Sequence, residues 1–392
     1  MKPQKIPVKN LLIFSNQIQL DPPQADEIEI SLFGPGVGEC VVVHIGNNEW
    51  FVIDSCLEST TKRPVPLVYL DKLNILPHNA IKLIIISHWH SDHIQGASQI
   101  FKECTDSIIC FSEVFLKEEF LSLVSAYSGL DRPSLVDRET CGTKEIALII
   151  RILKERLQER KKFPDKPSPY ILASADQRIY QSKDQNIPKE LWALSPSTQT
   201  KMNSLIEIST LMPSASNNED RRLIPKPDQN HNAIALQLKF GDVVNMLLGS
   251  DLEETDDPLT GWSVIVQSTN RPLDKSIIFK IPHHGSENGH SDDVWKNMLH
   301  NDCLAILTTK IGGRANTPKR TDIERIKKYT QNLCCTLEPK GKRQKRDTIV
   351  EKTIKGIMKK RIPLNGEMGH IQIRFKVDTD IAINLKEPAI KL

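Results

Sequence analysis

The segment from Leu83 to His93 constrains the fold of this chain more than any other stretch. The apolar run Leu83 to Ile86 is typical of a buried β-strand, and it leads into the pattern H-x-H-x-D-H. The candidate ligands in that pattern are His88, His90, Asp92 and His93. Side chains at this spacing converge only where the backbone turns tightly, so the pattern predicts a metal site at the C-terminal end of a strand. A solvated polar loop is the alternative, but crowding three imidazoles together costs desolvation free energy that only a bound cation would offset.

Two later apolar runs end in polar residues in the same way. Val243 to Leu248 is followed by Gly249-Ser250-Asp251, and Ser276 to Pro282 is followed by His283-His284-Gly285-Ser286. A helix N-cap is the alternative role for Asp251. Adjacent histidines on a strand point in opposite directions, so we expect one ligand from the pair, and His283 is favoured because it directly follows the strand. Imidazole and carboxylate ligands together suit one or two divalent cations, with Zn²⁺ the first choice and Mn²⁺ the second.

In these three blocks the chain resembles the metallo-beta-lactamase superfamily, whose signature is H-x-H-x-D-H after a hydrophobic strand. Within it, the blocks at 248–251 and 282–286 and the opening Gly36-x-Gly38-Glu39-Cys40 resemble the catalytic domain of the DNA-uptake competence-protein branch. The resemblance implies an αββα sandwich of two mixed β-sheets flanked by helices. It implies a single domain over residues 1–392, with a core at about 28–335 and a basic segment with C-terminal strands at 340–392. The membrane channel of that branch has no counterpart here, so its transport role does not carry over.

The resemblance also assigns the candidate site residues. It implies that His88 and His90 hold a first metal, that Asp92, His93 and His283 hold a second, and that Asp251 bridges them. His231 is a candidate for the ligand that the first metal lacks. Catalytic roles fall to Asp92 and His284, and supporting roles fall to Asp54, Asn230 and Ser286. A plain strand-terminating aspartate is the alternative for Asp54.

Hydrophobic periodicity predicts the elements around these motifs. Ile28, Ile30 and Leu32 alternate with polar residues, which predicts a strand with one buried face at the edge of a sheet. We expect short helices at 64–73 and 96–102, longer ones around 114–124 and 146–157, and a hairpin over 234–248. The polar stretch 212–229 contains three prolines, which predicts a surface loop.

Composition limits the class of protein. A chain of 392 residues with 39% hydrophobic residues can bury a sizeable core. No apolar run approaches the roughly 18 residues of a membrane span, and Leu11 to Phe14 is too short for a secretory signal, so we expect a cytoplasmic protein that does not insert into a membrane. The eight cysteines form no C-x-x-C pair, which argues against a zinc knuckle or a disulfide framework.

Charge is distributed unevenly along the chain. The net charge is +3, but residues 340–361 carry ten Lys and Arg against Asp347 and Glu351, a local excess of eight positive charges. Such a segment can attract a phosphate backbone, and the candidate contacts are Lys342, Arg343, Lys345 and Arg346. A basic solvated surface is the alternative.

These observations favour a metal-dependent hydrolase, a phosphodiesterase or nuclease that acts on DNA through a metal-activated hydroxide. Two alternatives remain open at this point. One is hydrolysis of a small ester, thioester or phosphoester in a closed apolar pocket. The other is a metal-binding interaction subunit with a protein partner in a larger complex.

Overall fold

Two mixed β-sheets form the centre of the molecule. The computed structural model describes residues 11–34, 38–127, 141–182, 188–211, 230–241, 244–311, 316–339, 368–377 and 379–392. The first sheet has nine strands in the order β1-β16-β15-β2-β3-β4-β5-β6-β7, and the second has eight in the order β17-β14-β13-β12-β11-β10-β9-β8. Helices flank both sheets, so the predicted αββα class is confirmed.

The strands of the first sheet are β1 (Leu12–Ser15), β2 (Glu27–Gly34), β3 (Cys40–His44), β4 (Trp50–Ile53), β5 (Ile81–Ile85), β6 (Ile108–Ser112), β7 (Tyr170–Ala173), β15 (Gly369–Lys376) and β16 (Ile381–Lys386). Those of the second sheet are β8 (Gln177–Gln181), β9 (Lys189–Ala193), β10 (Leu236–Phe240), β11 (Val244–Leu248), β12 (Ser276–Lys280), β13 (Leu299–Leu307), β14 (Leu333–Cys335) and β17 (Ile390–Lys391).

The α-helices are α1 (Val65–Lys72), α2 (Pro77–Ala80), α3 (Ser91–Ile94), α4 (Ala97–Glu103), α5 (Glu118–Tyr127), α6 (Cys141–Lys162), α7 (Thr198–Leu211), α8 (Gly261–Gln267), α9 (Asp292–Asn297) and α10 (Arg320–Ile326). Short 3₁₀ turns occupy Glu113–Leu116, Asn230–Asn232, His283–Gly285 and Glu287–Gly289. The predicted helices and the predicted hairpin are confirmed, whereas α7 was not anticipated. The predicted loop at 212–229 lies outside the described residues.

The strands bury both faces because each sheet lies between two apolar layers. On β4, Phe51 and Ile53 point into the core between the sheets, while Trp50 and Val52 pack under the helices of the first sheet. This alternation follows from the two-residue period of a strand. A third cluster, which includes Trp262 of α8 and Phe279 of β12, fills the space between the second sheet and its helices.

Strand β2 differs from its prediction in two ways. It lies between β15 and β3 rather than at an edge of the sheet, and Glu29 and Ser31 are fully buried like the apolar residues beside them. Arg374 of β15 explains the buried charge, because its Nε donates to Glu29 Oε2 at 2.7 Å. Tyr69 and Ser31 also donate to Glu29 Oε1, at 2.5 and 2.7 Å. A sequence pattern cannot show a partner that lies more than 300 residues away.

The parallel strands place the candidate site. Strands β4 to β7 run parallel in the first sheet, and β11 to β14 run parallel in the second. Sites in α/β folds form where parallel strands end at their carboxyl edge. The three sequence blocks follow β5, β11 and β12, so both sheets deliver their polar residues to one edge of the sandwich.

Two further expectations concern membranes and thiols. Among the described residues, every helix is too short or too polar to span a lipid bilayer. The seven cysteines whose side chains are described are buried free thiols.

The core between the sheets predicts a stability difference between two leucines. Leu236→Ala removes a fully buried side chain of that core, so it should lower the free energy of unfolding by about 2 to 5 kcal/mol. Leu273 is 60% exposed, and Leu273→Ala should change it by less than about 0.5 kcal/mol. Urea denaturation followed by circular dichroism measures both, and equal losses would contradict the packing described.

Candidate metal centre

Left-handed backbone turns the chain sharply where the site residues leave their strands. Positive φ angles occur at Asp54 (61°), Ser250 (47°), His283 (45°) and His284 (55°). Non-glycine residues adopt this conformation at a cost of about 1 to 3 kcal/mol each, and such residues cluster at functional sites. The turns bring side chains from the ends of β4, β11 and β12 towards a common point.

Hydrogen bonds across the sandwich hold the turns together. Ser250 Oγ donates to Ser87 Oγ at 2.7 Å, which links the loop after β11 to the loop after β5. The Ile234 amide donates to the Ser87 carbonyl at 3.0 Å, and the Glu39 amide donates to the Asp92 carbonyl at 2.9 Å. The histidine loop is therefore fixed by both sheets.

Four buried side chains meet at the centre of this edge. Glu39, His93, Asp251 and His284 each offer one ligand atom, and those atoms lie within 4.8 Å of one another. Asp251 Oδ2 is 3.2 Å from His93 Nε2 and 3.7 Å from His284 Nε2. We call these four residues the central cluster.

Asp54 orients His93. Its Oδ2 lies 2.8 Å from His93 Nδ1 and accepts the hydroxyl hydrogen of Ser87 at 2.6 Å. With the Nδ1 proton held by a carboxylate, the lone pair of the neutral imidazole lies on Nε2, towards Asp251. Asp54 therefore contacts both Ser87 and His93, where the family resemblance implies a supporting role.

A second chain of contacts orients His284. Thr308 Oγ1 donates to Glu39 Oε2, so it can only accept from His284 Nδ1, which lies 2.9 Å away. The lone pair of His284 is again on Nε2, which faces Asp251. Glu39 also pairs with the buried ammonium of Lys280, which donates to the Ser250 carbonyl at 3.0 Å.

His88 and His90 lie beside the central cluster. Because Ser87 Oγ donates to Asp54, it accepts from His88 Nδ1 at 2.9 Å, and the lone pair of His88 lies on Nε2. That Nε2 is 3.1 Å from His90 Nδ1. The His88 ring also packs against His93, with centroids 4.3 Å apart.

The central cluster contains polar atoms that the protein leaves unsatisfied. His93 Nε2, His284 Nε2 and both carboxylate oxygens of Asp251 are buried, and within the described part of the chain none makes a hydrogen bond of acceptable geometry. Buried polar atoms without partners are rare and costly. Their nitrogen and oxygen donors converge on one space, so the residues fit a divalent cation such as zinc.

The electrostatics are consistent with ionised carboxylates and neutral imidazoles in the presence of a cation. Burial alone would raise the pKa of Asp251, but the adjacent imidazoles of His93 and His284 hold that pKa well below its ordinary value. Burial lowers the pKa of His88 well below its usual range. Burial would also lower the pKa of His93, but the carboxylates of Asp251 and Asp54 raise it well above normal. A bound cation would take the place of the proton that those carboxylates stabilise.

The structure places the two adjacent histidines differently from the sequence-based assignment. His284 faces Asp251 and His93, whereas His283 contacts other groups, with Nδ1 2.8 Å from Glu253 Oε1 and 3.1 Å from Asn288 Oδ1, and with Nε2 3.4 Å from Asn230 Nδ2. The physical reason is local, because the pair occupies a 3₁₀ turn with two positive φ angles and does not continue the strand. The sequence predicted opposite directions and favoured His283 as the ligand, but the ring that lies beside Asp251 belongs to His284.

The remaining predicted residues lie at different distances from the central cluster. Asp92 Oδ2 is 3.9 Å from His284 Nε2. Asn230 donates to Glu253 Oε1 at 2.8 Å, and His231 Nε2 is 3.9 Å from the other oxygen of Glu253. Ser286 contacts Asn288 at 2.5 Å and not the central cluster. Gly36 and the basic residues Lys342, Arg343, Lys345 and Arg346 lie outside the described residues.

Sequence reasoning did not identify several residues that border the site. These are Glu39, Lys280, Thr308, Lys310 and Glu253. Lys280 could have been noticed in the sequence, because it is the one charged residue within the apolar run Ile277 to Ile281. In the structure it is 1% exposed. Thr308 and Lys310 could not have been noticed in this way, since their positions depend on how β13 packs beside β12.

Comparison with known proteins gives a family match over part of the chain and a set of distantly similar solved structures. Residues 33–155, which include the histidine pattern, match the family model described as Metallo-beta-lactamase superfamily. No curated protein sequence matches this chain.

Three solved structures illustrate the similarity. A metallo-beta-lactamase from Cronobacter sakazakii is 13% identical with a TM-score of 0.29, over 62% of this chain and 64% of its own. The metallo-beta-lactamase fold protein YhfI from Bacillus subtilis is 13% identical with a TM-score of 0.29, over 65% of this chain and 71% of its own. BJP-1, a subclass B3 enzyme of Bradyrhizobium japonicum, is 13% identical with a TM-score of 0.28, over 65% of this chain and 72% of its own. The matched region spans less than two thirds of the Cronobacter chain.

The inward position of His284 predicts which histidine matters for metal binding. His284→Ala should lower metal affinity by more than about 100-fold, beyond the loss expected for a residue that only orients a ligand. His283→Ala, its adjacent control, should stay within about tenfold of the parent. Metal content and chelator competition measure both, and the reverse order would show that His283 is the ligand.

Proposed function

We propose that this chain, of which residues 33–155 match the metallo-beta-lactamase superfamily model, belongs to that superfamily of mostly metal-dependent hydrolases and is a phosphodiesterase that acts on nucleic acid, with DNA as its substrate. The observation that carries the proposal is a buried cluster of unsatisfied metal-ligand atoms with a polar border. The partly exposed side chains beside it are His90, Asp92, His283 and Lys310. Such a border suits a charged phosphodiester better than an apolar acyl group.

We assign the metal ligands from the geometry of the central cluster and its neighbours. His93, His284 and Asp92 would hold one divalent cation, His88 and His90 would hold a second, and Asp251 would serve both. Glu39 pairs with Lys280, so its role is to support His284 through Thr308. When bound, divalent cations polarise a phosphoryl group and acidify water, which supplies the chemistry of hydrolysis.

The protein's own contribution is orientation. Asp54, Ser87 and Thr308 each fix one imidazole so that its Nε2 lone pair faces the site, and all three supporting groups are buried. Contacts of this kind set both the tautomer and the direction of a histidine ligand. Because the groups are positioned before substrate arrives, little reorganisation is needed during the reaction.

The local charge of the sequence supports nucleic acid over a small phosphoester. The excess of eight positive charges at 340–361 occurs in a chain whose total net charge is +3. Basic residues that neutralise backbone phosphates supply most of the sequence-independent affinity of proteins for DNA. A small substrate would not need such a segment.

Hydrolysis assays with purified protein test the activity. Plasmid DNA and bis(p-nitrophenyl) phosphate should be cleaved with added zinc or manganese and not with chelator. Asp92→Ala should lower turnover by at least about 1,000-fold, since it removes a charged ligand at the reacting centre. The control Asp106→Ala alters an exposed aspartate of another loop and should leave turnover unchanged.

Circular dichroism should show that both variants keep the parent fold, because ligand loops contribute more to sites than to cores. Full turnover in Asp92→Ala would contradict the proposed site. Cleavage of p-nitrophenyl acetate without cleavage of either phosphodiester would contradict the proposed substrate.

The basic segment predicts a salt effect on DNA binding. Replacing Lys342, Arg343, Lys345 and Arg346 with Gln should weaken binding about equally for all sequences, and it should flatten the log slope with salt by about 0.9 for each phosphate that is no longer neutralised. Replacing Arg151, Lys154, Lys161 and Lys162, which are exposed on α6, removes the same charge elsewhere and should have a smaller effect. An unchanged slope in the first variant would show that the segment is only a solvated surface.

A further inference from the structure

Lys310 lies at the border of the metal centre on a fixed piece of backbone. It follows β13 by three residues, and its amide and carbonyl both pair with Thr317, at 2.9 and 3.2 Å. The side chain therefore projects from a short antiparallel bridge rather than from a free loop end.

The ammonium of Lys310 lies next to the groups that would hold a cation. Its Nζ is 2.7 Å from Asp92 Oδ2, and that same oxygen is 3.9 Å from His284 Nε2. An anion held by Lys310 would thus lie beside the atoms where hydrolysis takes place.

The balance of charge singles out this lysine. Carboxylates crowd the site, and they belong to Glu39, Asp54, Asp92, Asp251 and Glu253. Lys280 is fully buried and is used by Glu39 and the Ser250 carbonyl, so it cannot reach a substrate. The side chain of Lys310 is 38% exposed, so part of it is open to solvent at the border of the site.

The ammonium of Lys310 has more hydrogen-bond donors than its contact with Asp92 requires. An ammonium group carries three N–H donors, and in the described part of the chain Asp92 is the carboxylate within 4 Å of it. An anionic ligand can share the ammonium with Asp92, because the remaining donors rotate on a flexible stem.

We infer that Lys310 is a substrate-binding residue that holds the phosphoryl group against the metal centre and thereby selects anionic substrates. The inference rests on the proposed function, since it concerns the substrate of the same site. The competing account is that Lys310 only neutralises Asp92, which would give it a role in the resting protein and none in binding.

Inorganic phosphate binding to the metal-loaded protein separates the two accounts. Titration calorimetry should show phosphate binding to the parent, and Lys310→Gln should weaken it about tenfold or more, the scale of one charge-assisted hydrogen bond. Lys310→Arg should bind within about threefold of the parent, because it keeps the charge that holds the anion. Metal content, measured on each sample, should be unchanged.

Lys376 provides the matched control. Its side chain is also 38% exposed and forms an ion pair with Asp26 at 2.9 Å, but it lies on β15, away from the metal centre. Lys376→Gln should leave phosphate affinity unchanged. The inference is overturned if the parent does not bind phosphate, if Lys310→Gln binds it as tightly as the parent, or if binding is lost only together with the metal.

The same samples separate this inference from the proposed function. Phosphate binding that depends on Lys310, without cleavage of any phosphodiester, would support the inference and refute the nuclease. Cleavage of DNA with the same KM and phosphate affinity in Lys310→Gln would support the nuclease and refute the inference.

Discussion

The candidate site depends most on the hydrogen bonds that the carboxylate of Asp54 accepts. Its Oδ1 accepts a hydrogen bond from the Ser87 amide at 2.8 Å. Its Oδ2 accepts one from the Ser87 hydroxyl at 2.6 Å and lies 2.8 Å from His93 Nδ1. One side chain at the end of β4 thus fixes the loop after β5 and the direction of a candidate ligand. Ser87 in turn contacts His88 in the loop after β5 and Ser250 in the loop after β11. Asp54 therefore helps to position both loops, one from each sheet.

The candidate metal centre forms where the two sheets end at the same edge. His88, His93 and Asp92 come from the first sheet, and Asp251 and His284 come from the second. Neither set alone assembles the central cluster, so the packing between the sheets builds the candidate site as well as stabilising the fold. Glu39 of the central cluster forms a buried ion pair with Lys280, which joins the two sheets and balances charge that the interior would otherwise bear unpaired.

The sequence predicted those features that depend on interactions between neighbouring residues. Apolar runs that end in polar residues identified the strands, the histidine loop and Asp251, because strand burial and turn formation depend on neighbouring residues, and the family resemblance pointed to Asp54. The inward ring of the pair His283 and His284 depends on two positive φ angles, and the burial of Glu29 depends on Arg374 from the far end of the chain. Thr308 and Lys310 lie at the site because β13 packs beside β12. That pairing cannot be predicted from the spacing of residues in the sequence.

Anomalous diffraction from zinc-loaded crystals shows whether a metal binds between the two sheets and which residues hold it. We expect a zinc peak about 2.0 to 2.2 Å from His93 Nε2, His284 Nε2 and a carboxylate oxygen of Asp251, the distances usual for these ligands. A peak bound by His283 with His284 turned away, or no peak between the two sheets, would contradict it.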